Sequence, residues 1–168
     1  NEGHENGKGT TASFGDINAI MIDSHGNLYV TDYKYADIRK ISPDGTVTTF
    51  IGNIACNQMV MDKQDNMFVT TIHACLKKIT PDGTISDFAG TEAIGYLDAT
   101  GTAARFSFID GITIDGSGNL YVLDYGNYKI RMITPNVVGT TLQINGGFVP
   151  GGYVAIDGFG NLFIASSE

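Results

Sequence analysis

The chain has 168 residues and a mass of 17.9 kDa, which suits one domain and is long enough to bury a sizeable core. Ten Lys and Arg residues against 18 Asp and Glu residues give a net charge of −8, which disfavours binding to nucleic-acid phosphates. With 22 Gly, 4 Pro and no apolar run long enough for a membrane helix, the composition favours a turn-rich β protein. It excludes helical bundles, collagen and basic nucleic-acid readers.

Four segments of the chain repeat one pattern, in which an apolar strand ends in Asp and an Asn follows four residues later. The repeated residues are Asn27, Asn66, Asn119 and Asn161, which stand 39, 53 and 42 residues apart. Three of the four have Gly directly before the Asn, a combination that tolerates the positive φ of a tight turn. A period near 40 residues is the length of a propeller blade.

In chain order, each unit predicts four strands, a to d. In the first unit, strand a ends at Asp23, strand b follows the Gly-Asn turn, and strand c carries the cations of residues 38–41. A Pro-Asp-Gly turn at 43–45 leads to strand d at 46–50. The second unit repeats strands c and d at 76–79 and 84–88, and the third has strand c at 130–133 followed by a longer turn at 135–139.

This pattern resembles the NHL repeat family of β-propellers. Residues 20–52 carry almost all of the motif, 59–90 a degraded copy and 112–133 a clear copy, while 95–106 resemble a connector between such repeats, with a shorter echo at 5–14. The resemblance implies an all-β fold, a β-propeller of four-stranded antiparallel blades in a single domain 1–168. The blades are expected at about 17–53, 54–90 and 108–145, with a half-blade at 147–168.

NHL-like propellers close with about six blades, so the expected three and a half blades form an incomplete ring. An open arc would expose apolar blade faces and an unpaired strand edge, which proteins in water avoid. We therefore expect either that the chain is a fragment of a longer one, or that other chains close the ring by association at the open blade edges.

An acid at the end of strand b and an arginine in strand c change together between the units. The pairs are Asp32 with Arg39 and Asp124 with Arg131, whereas the second unit has Thr71 and Lys77 at these positions. Because the carboxylate and the guanidinium disappear together, the sequence predicts an ion pair across strands b and c. We expect it to stabilise the blade rather than to take part in catalysis.

The metal-binding alternatives are weaker than the structural ones. The Asp-x-x-Gly-Asn loops that begin at Asp23, Asp115 and Asp157 could be calcium sites, but they lack the further ligands and the distal Glu of an EF-hand. An Asp that caps its own turn explains them. Amidating lyases, which resemble this family, hold zinc with axial histidines. His4, His25 and His73 lie outside the predicted inner strands, which are residues 19–23, 59–62, 112–115 and 154–157. We expect no metal and no cofactor on these blades.

The two cysteines, Cys56 and Cys75, lie at the same end of the second blade, so a disulfide between them is conceivable. Strands a and c are separated by strand b, at about twice 4.8 Å, which exceeds comfortable disulfide reach unless the loops bend inward. A disulfide and two free thiols both remain open.

The loops between strands d and a and between strands b and c build the face on which propellers commonly bind. The candidates on this face are Tyr33, Tyr35, His73, Tyr96, Asp98, Arg105, Asp124, Tyr125, Asn127 and Tyr128. Tyr and Asn at loop tips suit contact with protein, peptide or glycan. Alternatively, the rings cover neighbouring blades.

The sequence thus predicts a non-catalytic binding or scaffolding module with a protein, peptide or glycan ligand and no nucleic-acid partner. Its acidic, Lys-poor surface favours an extracellular or periplasmic location. The alternative is part of a propeller enzyme of the lyase or lactonase kind, whose metal ligands lie on blades that this chain lacks. The RNA-binding propellers of the family need a basic face, which a net charge of −8 disfavours.

Overall fold

The computed structural model describes residues 2–142 and 152–165, and antiparallel β-strands dominate this part of the chain. The strands are β1 (Gly7–Lys8), β2 (Ile17–Ile22), β3 (Leu28–Asp32), β4 (Asp37–Ile41), β5 (Thr46–Ile51), β6 (Cys56–Met61), β7 (Met67–Thr71), β8 (Leu76–Ile79), β9 (Ile85–Ala89), β10 (Ile109–Ile114), β11 (Leu120–Asp124), β12 (Lys129–Ile133), β13 (Gly139–Thr141), β14 (Val154–Ile156) and β15 (Leu162–Ile164). The expected all-β fold is confirmed.

Consecutive strands pair into four separate sheets, each of which is a meander. Blade one runs β2-β3-β4-β5 with β1 added outside β5, blade two runs β6 to β9, and blade three runs β10 to β13. In blade four, the described residues form β14 and β15. The blade boundaries expected at residues 145, 147 and 168 lie outside the described residues.

The turn between strands a and b is an Asx turn, and the repeated Asp and Asn build it. In blade three, Asp115 Oδ1 accepts the N–H groups of Ser117 and Asn119 at 2.8 and 2.9 Å, and Asp115 Oδ2 accepts Asn119 Nδ2 at 2.7 Å. Gly118 has φ +86°, a value that residues with a Cβ rarely adopt. The hydrogen bonds outweigh the effect of burial and hold the pKa of Asp115 below its usual value.

The blades stand side by side with strand a innermost, since β2 packs beside β6, β6 beside β10, and β10 beside β14. Alternate side chains of each blade point to opposite neighbours, so an apolar cluster fills the space between each pair of neighbouring described blades. This is the arrangement of propeller blades, and the ring is not closed.

The inner strands begin earlier than the sequence pattern indicated. Strands β2, β6 and β10 start at Ile17, Cys56 and Ile109, two or three residues before the expected positions. Each contains a register shift, between Ile17 and Ile20 in the first blade and at the corresponding place in the other two. A β-bulge adds an unpaired residue and so interrupts the alternation by which a strand is recognised in a sequence.

Blades one and three share features that blade two lacks. A connector precedes each of them, residues 5–14 and 97–106, and each connector contains a short 3₁₀ turn, Gly9–Thr11 or Gly101–Ala103. The corresponding residues stand 92 apart throughout, as Asp23 and Asp115 do. Blade three therefore repeats blade one more closely than it repeats blade two, so the chain has a period of two blades as well as a period of one. None of the described helices is long and apolar enough to cross a membrane.

Candidate binding site

Three polar side chains occupy the bulges of the three complete inner strands. Asn18 in β2, Asn57 in β6 and Asp110 in β10 hold the same position in their blades. Bulges re-aim side chains and often lie beside binding sites. Here they bring one polar side chain from each blade to the same end of the arc.

These side chains form a hydrogen-bonded row across three blades. Asn18 Nδ2 donates to Asn57 Oδ1 at 2.9 Å, and Asn57 Nδ2 lies 3.5 Å from Asp110 Oδ1. The other carboxylate oxygen of Asp110 accepts the backbone N–H of Gly152 at 2.8 Å, which extends the row to blade four. A fixed row of amide and carboxylate groups offers donors and acceptors in alternation.

The walls above this row are large side chains that follow strand b. Tyr33, Ile72 and Tyr125 are the first residue after strand b in blades one, two and three, and all are exposed. Their backbone N–H groups donate to carbonyl oxygens of the preceding loops, at 2.8 Å for Tyr33 and 2.9 Å for Tyr125. These bonds fix the positions at which the side chains leave the backbone.

Phe108 completes the wall with an unusual backbone conformation. It is exposed and has φ +55°, a left-handed value that is strained for a bulky aromatic residue. Its carbonyl oxygen accepts the Tyr125 N–H, which holds the two aromatic residues together. Strain of this kind concentrates at functional sites.

Together these residues enclose a cleft of about 470 Å³, which we call the axial cleft. Its lining consists of Asn18, Tyr33, Asn57, Thr71, Ile72, Phe108, Ile109, Asp110 and Tyr125. Such a volume accommodates a small-molecule ligand. The lining combines polar groups along the floor with exposed apolar surface on the walls, and its described residues carry one carboxylate and no basic side chain.

A buried arginine, Arg131, ties the connector to blade three behind the Tyr125 wall. Its Nη1 donates to Asp124 Oδ2 at 2.8 Å and to the Arg105 carbonyl at 3.0 Å. Its Nη2 donates to the Leu97 carbonyl at 2.9 Å and lies 2.7 Å from Asp98 Oδ1. Arg131 and Asp124 are fully buried, so the pair belongs to the interior of the blade.

Asp124 has further partners. It accepts the Ser107 N–H at 2.7 Å and Asn127 Nδ2 at 2.9 Å. Burial raises the pKa of Asp124, while the bonds from Asn127, Ser107 and Arg131 oppose that rise. Because Asp124 directly precedes Tyr125, these bonds also hold the cleft wall in place.

Blade one repeats this arrangement with a longer ion pair. Arg39 Nη1 lies 3.6 Å from Asp32 Oδ2 and donates to the Ser13 carbonyl at 3.2 Å. Its Nη2 donates to the Glu5 carbonyl at 3.1 Å and to Asn6 Oδ1 at 2.8 Å. Each of these partners stands 92 residues before its counterpart around Arg131.

Blade two has no connector before it, and its residues at these positions make other contacts. Lys77 Nζ donates to Asp87 Oδ1 at 2.6 Å, which raises the pKa of Lys77. Thr71 Oγ1 donates to the Cys75 carbonyl at 3.2 Å. The described arginine-carboxylate pairs thus occur where a connector has to be held.

The structure separates the predicted binding-face residues into groups. Tyr33 and Tyr125 line the axial cleft, whereas His73 lines a different cleft of about 450 Å³ between blades one and two. Tyr35 stacks on His4, with ring centroids 4.7 Å apart. Tyr128 is exposed beside Tyr125.

The other predicted face residues make contacts within the blade and its connector. Tyr96 lies over the Arg131 guanidinium at 5.3 Å, and Arg105 donates to three carbonyls of its own connector. Asn127 donates to the Gly95 carbonyl as well as to Asp124. The complete burial of Asp124 places it beneath the face rather than on it.

The sequence did not identify the other seven residues that line the cleft, which are Asn18, Asn57, Thr71, Ile72, Phe108, Ile109 and Asp110. Asn18 and Asp110 stand 92 residues apart, the same separation as the other matching residues of blades one and three. This period was the signal in the sequence that could have identified them.

The two cysteines are free thiols in the structure and are not joined by a disulfide. Cys56 is the first residue of β6 and pairs with Thr71, whose N–H donates to the Cys75 carbonyl at 3.0 Å. Strand b therefore stands between the two thiols. Burial raises the pKa of Cys56 to about 12.

The Asp residues of the a–b turns direct their oxygens to their own turn. Asp157 accepts the N–H groups of Phe159 and Asn161 at 2.9 and 2.8 Å, and Asp23 accepts those of His25 and Asn27. Across residues 2–142 and 152–165, no group of three or more His, Cys, Asp or Glu is placed to share a metal ion.

Comparison with solved structures supports the fold. An auxiliary nutrient binding protein from Bacteroides ovatus matches with a TM-score of 0.76 at 18% identity, over 91% of this chain and 46% of that one. A streptogramin B lyase matches with a TM-score of 0.72 at 12% identity, over 96% and 51%. Virginiamycin B lyase from Staphylococcus aureus matches with a TM-score of 0.69 at 16% identity, over 90% and 49%.

The chain therefore spans about half the length of these propeller proteins, and the likeness shows the fold. No protein-family model and no curated protein sequence matches it.

Proposed function

We propose that the chain is a non-catalytic, NHL-type propeller segment that binds a neutral glycan in the axial cleft. The observation that carries the proposal is the row of Asn18, Asn57 and Asp110 beneath exposed aromatic rings. Sugar hydroxyls both donate and accept hydrogen bonds, so a row that alternates donors and acceptors suits neighbouring hydroxyls on one ring edge.

The walls suit the other surface of a sugar. Tyr33, Phe108 and Tyr125 present exposed aromatic surface, against which the apolar C–H face of a pyranose ring can pack. Tyr also combines a rigid contact surface with a polar tip at low entropic cost. The cleft thus provides apolar and polar recognition at the same place.

Charge favours a neutral ligand over an acidic one. Asp110 is the single charged side chain among the described lining residues, and the whole chain carries −8. A sulfated or uronic-acid glycan would be repelled, and the described lining residues include no cation to offset that repulsion. Solved neighbours named as nutrient binding proteins are compatible with ligand binding, and with the extracellular or periplasmic location that we propose.

The test is isothermal titration of the purified chain with neutral oligosaccharides, with sulfated oligosaccharides and with peptides. Asn57→Ala and Tyr125→Ala should each weaken binding of a neutral oligosaccharide at least tenfold. Tyr128→Ala, an exposed aromatic outside the described cleft lining, is the matched control and should bind normally. Binding of peptides alone, or equal losses in all three variants, would contradict the proposal. The enzyme alternative stays a prediction.

A further inference from the structure

Two apolar surfaces at the ends of the described arc have no neighbouring blade. The blade-one face consists of Ile17, Ile20 and Ile22, which are 48%, 58% and 59% exposed. The blade-four face centres on Phe163, 59% exposed, beside Tyr153 and Ala155. Large exposed apolar surfaces mark interaction sites.

The internal repeat shows what covers the blade-one face. Residues 92 positions later, Ile109, Ile112 and Ile114, form the same side of blade three. There Ile109 and Ile112 are only 5% and 6% exposed, because they pack in one cluster with Val60 and Phe68 of blade two. A surface like that of blade two therefore covers isoleucines at these positions.

The blade-four face is such a surface. Ala155 and Phe163 face each other across β14 and β15, as Val60 and Phe68 do across β6 and β7. Phe68 is 6% exposed against blade three, whereas Phe163 is open. An apolar groove of about 350 Å³ borders Phe163, and Ala155 makes room that the larger Val60 does not.

We propose that a second copy of this chain docks head to tail, so that the blade-four face of one copy covers the blade-one face of the other. The contact would repeat the one that blade two already makes with blade three. Because it is heterologous, it leads to a ring if the rotation closes. Two copies present eight blade positions, the upper end of the usual range of about 4–8 blades, whereas three would exceed it.

The length comparison agrees with two copies. The chain covers 46–51% of propeller proteins that it overlays with TM-scores of 0.69–0.76, so two copies have the length of one such chain. The faces are the outer sides of blades one and four, and none of the residues named for them lines the axial cleft. Failure of glycan binding would therefore not affect this proposal.

The experiment is light scattering coupled to size-exclusion chromatography on the 168-residue chain and on two single variants. The wild type should have twice the 17.9 kDa chain mass. Ile20→Asp and Phe163→Asp each alter an exposed side chain, and each should have the mass of one chain, because the altered face enters both contacts of the ring. Circular dichroism checks that both variants remain folded.

Mixing the two variants provides the decisive measurement. The Ile20→Asp variant keeps an intact blade-four face, and the Phe163→Asp variant keeps an intact blade-one face. A 1:1 mixture should therefore recover a two-chain species, in which these two intact faces form one normal contact. Ile94→Asp is the control, since Ile94 is 60% exposed, lies before the connector and outside both faces, and has Glu2 as its counterpart 92 residues earlier. It should behave as the wild type does. A wild type at 17.9 kDa, or a mixture that does not recover, would overturn the proposal.

Discussion

The buried pair of Asp124 and Arg131 should couple strongly in a double-mutant cycle. Both side chains are fully buried, and Arg131 Nη1 donates to Asp124 Oδ2 at 2.8 Å. Asp124→Ala leaves a buried guanidinium with one fewer carboxylate and removes the acceptor of the Ser107 N–H. Breaking a buried pair costs about 3–5 kcal/mol, and we expect a loss of unfolding free energy in that range.

The second arm of the cycle is Arg131→Met, which keeps an apolar stem between the Tyr96 and Phe106 rings. Arg131→Met removes the hydrogen bonds to the Arg105 and Leu97 carbonyls whether residue 124 is Asp or Ala, so the free energy of these two bonds cancels in the coupling free energy. A coupling free energy of about 3 kcal/mol is expected, the upper end for residues in direct contact.

The pair in blade one supplies the internal comparison. Asp32 and Arg39 are 3.6 Å apart, beyond hydrogen-bond distance, and Arg39 has three other acceptors. Without the charged hydrogen bond, which contributes about 1.5–3 kcal/mol, the coupling for Asp32→Ala with Arg39→Met should be about 1 kcal/mol.

The assay is urea unfolding followed by circular dichroism, at one fixed chain concentration because association adds to apparent stability. The m-values should agree across each cycle. A coupling below about 0.5 kcal/mol for Asp124 with Arg131, or a larger coupling for Asp32 with Arg39, would refute the reasoning that burial and hydrogen bonding make these pairs structural.

Three further outcomes are expected. Asp115→Asn should be less stable than wild type at pH 6. The stability that the lowered pKa of folded Asp115 contributes is complete above the unfolded pKa of about 3.8 and is lost as pH falls through the folded pKa, so the gap in melting temperature should narrow below pH 3.8 and then close; a constant gap would contradict this. Cys56 and Cys75 should react with a thiol reagent only after unfolding, with an intact mass that shows two thiols; a disulfide-bonded mass would contradict the structure. Gly126→Ala would place its Cβ 2.3 Å from Ser107 Oγ and should cost about 1–3 kcal/mol in urea unfolding, whereas Gly116→Ala, with nothing within 4 Å, should change little; equal effects would refute the steric argument.

Local rules recovered much of the fold from the sequence. Asp115 and Asn119 form an Asx turn with hydrogen bonds between residues at most four apart, so the spacing alone indicates the hairpin. The b, c and d strands lie close to their expected positions, because short turns between neighbouring strands also mark their ends. Repetition of these local signals at about 40 residues was enough to indicate stacked four-stranded blades.

The axial cleft could not be predicted from the alternation of apolar and polar residues along the strands. Asn18, Asn57 and Asp110 sit at bulges, where the two-residue period is interrupted, so these residues gave no strand signal of their own. Their meeting also requires neighbouring blades to stand side by side, and Asn57 and Asp110 are 53 residues apart in the chain.

What the sequence alone determined was the repeated unit, because turns, hairpins and apolar alternation arise within a few residues of each other. The structure decided which residues with similar chemistry face water, ligand or interior. Tyr33 and Tyr96 have the same side chain, yet one lines the cleft and the other lies over Arg131. Ile20 and Ile112 occupy the same place in their blades and differ only in whether a neighbouring blade covers them. Burial is a property of the packed arrangement, so no local pattern could distinguish them.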